Sequence, residues 1–174
     1  MIVDGYWRLD LFYSKQRIKF WSLINRVVRS SRNEHRINRE ILYSAVVIRK
    51  IVEDDKDTRA EIRKLKLREP PLETLKLRVP VANYPFIGDE DFVLHKMIPD
   101  YYDYKKATEI KLDIDILCNK IIHSYVWSIV YSDISKKIYG VAFASDKEKN
   151  KELYLMKVED WLKAVQFFTD KATV

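Results

Sequence analysis

Apolar residues recur at helical spacing near the start of the chain and alternate with polar residues further along, so helices are expected first and strands later. Residues 6 to 29 carry apolar side chains at steps of three and four, which predicts an amphipathic helix. The segment Ser31-Arg32-Asn33-Glu34 has the form of a capping box, in which the Ser and Glu side chains bond free amides at a helix start. A second helix should therefore begin near Arg32, with a buried stripe comprising Ile37, Ile41, Ala45, Ile48 and Val52.

Acidic residues and prolines mark the expected breaks after this helix. We expect it to end at Glu53-Asp54-Asp55, and a shorter third helix to start at Asp57-Thr58, whose side chains can cap it. Pro70-Pro71 should stop that helix, because proline has no amide hydrogen to donate. Residues 72 to 82 alternate between apolar and charged side chains, which predicts a strand with one wet face. No period persists through residues 83 to 104, which we interpret as a long loop.

The last third of the chain predicts a helix, three strands and a final helix. Asp113 can cap a helix that continues to about Tyr125. Two β-rich runs, Val126 to Tyr131 and Ile138 to Ala144, are typical of a hairpin, and Glu152 to Met156 adds a third strand. An amphipathic helix then closes the chain.

The length and composition fit one ordinary domain. The chain has 174 residues, of which 47% are apolar and 33% charged, enough to build one core and cover it. We therefore predict a single domain over residues 1 to 174, of class α+β. It should be mainly a helical bundle with a small antiparallel β meander in its C-terminal third.

Several classes of protein are disfavoured by the residues present. Cys118 is the only cysteine, so no internal disulfide can form and a thiolate metal site within one chain is not expected. The chain has no glycine-rich phosphate loop, and its three histidines are too dispersed for a zinc-protease motif, so no cofactor and no metal are predicted. No apolar run reaches about 18 residues and the start lacks an export signal, so we expect no membrane contact and a cytoplasmic location.

Positive charge is concentrated in the first part of the chain. Residues 1 to 68 contain 17 Lys and Arg against 9 Asp and Glu, whereas the remaining residues contain 15 against 17. Within the first predicted helix, basic residues share one stripe: Arg8, Lys15, Lys19, Arg26 and Arg29. Such a stripe can neutralise phosphates of a nucleic acid. It is equally compatible with a helix face that is simply solvated.

Three polar residues recur at steps of four in the helix after Asp113. Asp115, Asn119 and His123 therefore share one helix face, while the aliphatic residues point elsewhere. A histidine in such a row can transfer a proton or bind a phosphate. The alternative is structural, with His123 near the free carbonyls of the helix C-terminus and Asn119 as a polar link between helices.

At these residues the chain resembles the HEPN superfamily of helical domains. The superfamily motif is an Arg, then a polar residue such as Asn, then three residues and a His, and Asn119 and His123 match its last two positions. The helix containing Ile48-Arg49-Lys50 resembles the long second helix of these proteins, and together these pieces cover about half of the chain. Cys118 stands where the catalytic Arg of the superfamily belongs.

The resemblance implies two functions, because many HEPN proteins are metal-independent endoribonucleases or components of toxin and defence systems. In the first, the chain is a catalytically degenerate homodimeric module that binds RNA or a protein partner, since a thiol cannot replace a guanidinium. In the second, it is an active endoribonuclease in which His123 is the general acid or base, Asn119 orients it or the phosphate, and Arg49 supplies positive charge. A third hypothesis is a purely structural or protein-interaction domain.

Overall fold

The computed structural model describes residues 5–23, 31–67, 76–88 and 101–171 and contains four helices and five strands in that part of the chain. The helices are α1 (Gly5–Ser22), α2 (Ser31–Lys64), α3 (Ile114–Ile122) and α4 (Val158–Lys171). The strands are β1 (Arg78–Pro85), β2 (Thr108–Asp113), β3 (Ser124–Tyr131), β4 (Ile138–Ser145) and β5 (Glu152–Lys157). The predicted α+β class is confirmed, as are the hairpin, the third strand after it and the closing helix.

All five strands form one antiparallel sheet in the order β2-β1-β5-β4-β3. The sheet is larger than the predicted meander, because β1 and β2 both precede α3 and β1 inserts between β2 and β5. Strand β2 was missed, although Ile110 and Leu112 alternate with Glu109 and Lys111 as in a half-buried strand.

The sheet separates two hydrophobic cores. Neighbouring residues of a strand point to opposite faces, so Phe143 of β4 packs with the helices while Ala142 and Ala144 face the other way. The buried helix residues belong to the larger core, whereas the smaller core on the opposite face is covered by Tyr101 and Tyr102. The helices therefore occupy one face of the sheet.

Helix α2 continues through the acidic residues at which we expected it to end. Thr58 does not cap a new helix, because its hydroxyl donates to the Asp54 carbonyl at 2.8 Å within the same helix. Arg49 pairs with Glu53 at 2.8 Å and Lys50 with Asp54 at 2.9 Å, each four residues apart. These pairs place the acidic side chains beside cations, so the negative run does not interrupt the helix.

Helix α2 ends in a Schellman motif that has lysine where glycine is usual. The Leu67 amide donates to the Ile62 carbonyl at 3.1 Å and the Lys66 amide to the Arg63 carbonyl at 3.0 Å. Lys66 has a φ of 55°, in the left-handed region that is unfavourable for a residue with a Cβ.

We expect Lys66→Gly to raise the free energy of unfolding by about 0.5–1 kcal/mol, because glycine adopts this conformation without steric cost. Lys64→Gly, within the last helical turn, is the matched control and should instead lower stability by about 1 kcal/mol. Urea denaturation followed by circular dichroism measures both, and a loss of stability in Lys66→Gly would contradict the motif.

Other predicted boundaries differ or lie outside the described residues. The interval 83–104, predicted to be a loop, contains the end of β1 and a bridge between Phe86 and Tyr102. The helix expected to reach Tyr125 ends at Ile122, because the chain turns at His123 into β3. Three predicted features lie outside the described residues: the end of the first helix (24–30), the proline stop with the start of the first strand (68–75), and most of the long loop (89–100).

Candidate functional site

The predicted polar row lies on α3, a short helix joined at both ends to strands of the sheet. At its start the Ile114 amide donates to the Leu77 carbonyl at 3.0 Å. Asp113 occupies the predicted cap position, but its side chain makes no cap bond and accepts from Arg78 Nε at 2.7 Å instead. At the other end the His123 amide donates to the Asn119 carbonyl at 3.0 Å, and β3 begins at the next residue. The position of His123 is thus fixed by the α3–β3 junction.

Asn119 and His123 line an open groove of about 690 Å³. Its walls are the exposed side of α3, the first residues of β3 and the turn between β4 and β5. The lining residues are Ile116, Asn119, Lys120, His123, Ser124, Tyr125, Ser145, Asp146, Lys147 and Glu148. Two of the three residues that the sequence placed on one helix face therefore meet in one concave surface.

Asp115, the third residue of the row, is bound elsewhere. Its carboxylate accepts from Lys56 Nζ of α2 at 2.8 Å, and it is not among the residues that line the groove. Burial raises the pKa of Asp115, but the hydrogen bonds from Lys56 and the Ile116 amide outweigh burial and lower it overall. Asp115 thus joins α2 to α3.

Neither Arg49, the residue predicted to supply positive charge, nor Cys118 lines the groove. Arg49 donates from Nε to Glu53 Oε1 at 2.8 Å and is absent from the groove lining. Among the described residues, no hydrogen bond or ion pair joins Arg49 to His123. Cys118 is fully buried, and burial raises the pKa of its thiol. Cys118 therefore faces the core and not the groove.

A polar network that we did not predict from the sequence reaches the groove through Lys120 and Glu148. Lys120 donates to the Glu148 carboxylate and, at 3.2 Å, to the Tyr154 hydroxyl. Tyr154 in turn donates to Glu152, which also accepts from Asn83 Nδ2 of β1. The network therefore connects α3, the β4–β5 turn, β5 and β1 through side chains that are far apart in sequence.

The ionisation of this network is set by its partners. Burial raises the pKa of Glu148, but the hydrogen bonds from Lys120 and Ser145 outweigh burial and hold it below its ordinary value. Burial, followed by the bond to Glu152, raises the pKa of Tyr154. One local signal was present in the sequence, because Ser145 and Glu148 are only three residues apart. In the structure Ser145 Oγ donates to the Glu148 carboxylate at 2.7 Å.

The open side of the groove presents an aromatic ring and amines. Tyr125 is 43% exposed, and the Lys149 ammonium lies 4.0 Å from the centre of its ring. Lys147 is exposed on the turn, whereas Lys149 also pairs with Asp146 at 2.7 Å. An aromatic face, an imidazole, an amide and a lysine thus converge where a ligand can enter.

The structure describes only part of the predicted basic stripe. Lys15 and Lys19 line a separate, shallow groove between α1 and α4. Arg26 and Arg29 lie outside the described residues, and only the backbone of Arg8 is described. Arg17, which we did not assign to the stripe, pairs at 2.9 Å with Glu40, whose side chain is only 4% exposed. Arg17 therefore joins α1 to α2.

These features define an α+β protein with four helices on one face of a five-stranded antiparallel sheet and an open polar groove at the α3–β3 junction. In the described part of the chain, no helix is long and apolar enough to cross a membrane. Within the same residues, no three His, Cys, Asp or Glu side chains converge as metal ligands would. No protein-family model, curated protein or solved structure matches the chain.

Proposed function

We propose that the chain is a HEPN-like module that binds single-stranded RNA in the groove beside His123 without cleaving it. The observation that carries the proposal is that Asn119 and His123, the two residues matching the superfamily motif, share this groove with Tyr125 and Lys147. Exposed aromatic rings stack on unpaired bases, amides bond base edges and cationic side chains contact phosphates. The groove offers each of these chemistries.

The surroundings of the motif favour binding over cleavage. The groove lining, as far as the structure describes it, contains no arginine. The Lys120 ammonium is already paired with Glu148, so it is poorly placed to stabilise charge on a phosphate in a transition state. With Cys118 in the core, the guanidinium that active relatives use has no counterpart at its own position.

The resemblance also assigns roles to the elements around the groove. In this proposal α2 and α3, which pack against each other, form the HEPN-like helical part, and the sheet with α4 is an elaboration of it. The module acts as a homodimer in the cytoplasm, in a toxin or defence system, with RNA as its partner.

Binding of a fluorescently labelled mixed RNA pool, measured by anisotropy at low and moderate salt, tests the proposal. Tyr125→Ala should weaken binding by about 5- to 150-fold, because base stacking on an aromatic ring contributes roughly 1–3 kcal/mol. Lys147→Ala should weaken it less and reduce the salt dependence by about one phosphate contact. Lys137→Ala, in the turn at the far end of β3, is the control and should bind like wild type.

Other outcomes separate the remaining hypotheses. Cleavage of the pool in the presence of a chelator, abolished in His123→Ala, would establish an endoribonuclease instead. Absence of both cleavage and salt-sensitive binding would leave a structural or protein-interaction domain. Binding that is equally strong in Tyr125→Ala and in wild type would place the RNA outside this groove.

A further inference from the structure

The two edges of the sheet differ in how they are protected. Strand β2 lies at one edge and carries charged side chains at alternate positions, Glu109, Lys111 and Asp113. Charges of this kind discourage pairing with another strand. Strand β3 lies at the other edge, and its eight residues contain neither a charge nor a proline. Of the two edges of the described sheet, the β3 edge is therefore the one whose side chains allow pairing with a further strand.

The backbone of β3 is available for such pairing over its central residues. Val126 to Val130 pair regularly with β4, and a register shift bounds this run at each end. In the described part of the chain, these five residues make no backbone hydrogen bond to any other element. In an edge strand half of the amide and carbonyl groups point away from the sheet, so those of this run have no backbone partner among the residues that the structure describes.

The sequence of β3 is close to a palindrome about Ser128. The run Tyr125-Val126-Trp127-Ser128-Ile129-Val130-Tyr131 reads almost the same in both directions, with Trp127 and Ile129 as the single unlike pair. An antiparallel pair of identical strands places residues at equal distances from the centre opposite each other. In such a pair valine faces valine and the large side chain of Trp127 faces Ile129.

We propose that β3 pairs with β3 of a second copy of this chain, antiparallel and symmetric about Ser128, so that two five-stranded sheets form one sheet of ten strands. Trp127 and Ile129 lie on the helix-covered face and extend the larger core across the contact. Val126 and Val130 pack against the smaller core and meet on the opposite face. Aromatic and β-branched cross-strand pairs are those that stabilise sheets.

A second copy fits this edge better than an unrelated peptide. A twofold contact requires one surface to be complementary to itself, and pairing about Ser128 meets that condition with valine opposite valine and Trp127 opposite Ile129. An unrelated strand would gain nothing from such symmetry. The inference rests on the proposed homodimer but not on RNA binding.

Oxidation of Ser128→Cys tests the contact directly. Ser128 faces its own copy on the twofold axis, and side chains directly opposite in an antiparallel pair have Cβ atoms roughly 4.5–5.5 Å apart, near the reach of a disulfide. Cys118 is fully buried and does not compete. We expect a disulfide-linked dimer on a non-reducing gel, and none from Lys111→Cys on the β2 edge, which is the matched control. Absence of the linked dimer from Ser128→Cys would overturn the pairing.

Sedimentation of Ser128→Lys provides an independent measurement. Like charges placed opposite each other should weaken dimerisation by up to about fivefold, while RNA binding by each chain is retained. Phe12→Lys is the competing test, because Phe12 belongs to the exposed apolar side of α1.

A monomeric wild type, or a dimer that Phe12→Lys dissociates and Ser128→Lys does not, would overturn the proposal. If Ser128→Lys fails to fold, the cross-linking result decides. A β3-linked dimer without RNA binding would contradict the proposed function alone.

Discussion

Replacing Trp161 with alanine is expected to lower the free energy of unfolding by about 3–5 kcal/mol, the cost typical of removing a buried tryptophan. Trp161 is fully buried in the larger core. Its indole Nε1 donates to Ser44 Oγ at 3.0 Å, and that hydroxyl donates to the Glu40 carbonyl at 2.8 Å in α2. The side chain therefore joins α4 to the long helix by packing and by a hydrogen bond. Because domains of this size are stable by only about 5–15 kcal/mol, this loss is a large fraction of the total stability.

Ser44→Ala separates the two contributions of Trp161. It keeps the ring in place but leaves the buried indole N–H without its acceptor, which should cost about 1–3 kcal/mol. Urea denaturation followed by circular dichroism measures both variants. A loss in Trp161→Ala no larger than that in Ser44→Ala would show that the ring does not anchor α4.

Replacing Lys120 with methionine should lower the free energy of unfolding by about 2–3 kcal/mol near neutral pH. The variant leaves the Glu148 carboxylate, only 20% exposed, beside Tyr154 without its cation. Breaking a buried ion pair typically costs about 3–5 kcal/mol, and partial exposure of this pair reduces the expected value. Arg78→Met removes the partner of Asp113, a carboxylate that is 39% exposed, and is the matched control, with an expected loss of at most about 1 kcal/mol.

The loss in Lys120→Met should depend on pH with a defined sign. In the wild type the pKa of Glu148 is lowered, so its stabilising effect is present above its ordinary pKa of 4.5 and is lost as the pH falls through the folded-state pKa. In the variant burial acts without Lys120 and raises that pKa, so protonation relieves the cost. The difference in stability between the two proteins should therefore shrink as the pH falls below 4.5. A difference that is constant between neutral and acid pH would show that Glu148 is not the group left unpaired.

Local patterns were sufficient to predict most elements and part of the site. The capping box at Ser31 marks the start of α2, and runs rich in β-forming residues locate β3, β4 and β5. The step of four between Asn119 and His123 was enough to place both on one surface, and the structure shows them in one groove. These features depend on interactions between residues close in sequence, which a periodic pattern expresses directly.

Only the tertiary structure determined how these elements are combined. The acidic residues after Arg49 favour a helix end by sequence alone, but packing of Ile51 and Val52 in the core and pairing of Glu53 with Arg49 keep α2 continuous. The position of β1 between β2 and β5 depends on pairing between residues about 70 apart, such as Asn83 with Tyr154. The Lys120–Glu148–Tyr154 network likewise exists only once α3 and the β4–β5 turn are brought together. The sequence permits several sets of local hydrogen bonds and ion pairs, and long-range contacts decide which set forms. Local periodicity therefore could not predict the strand order or the partners of these charges.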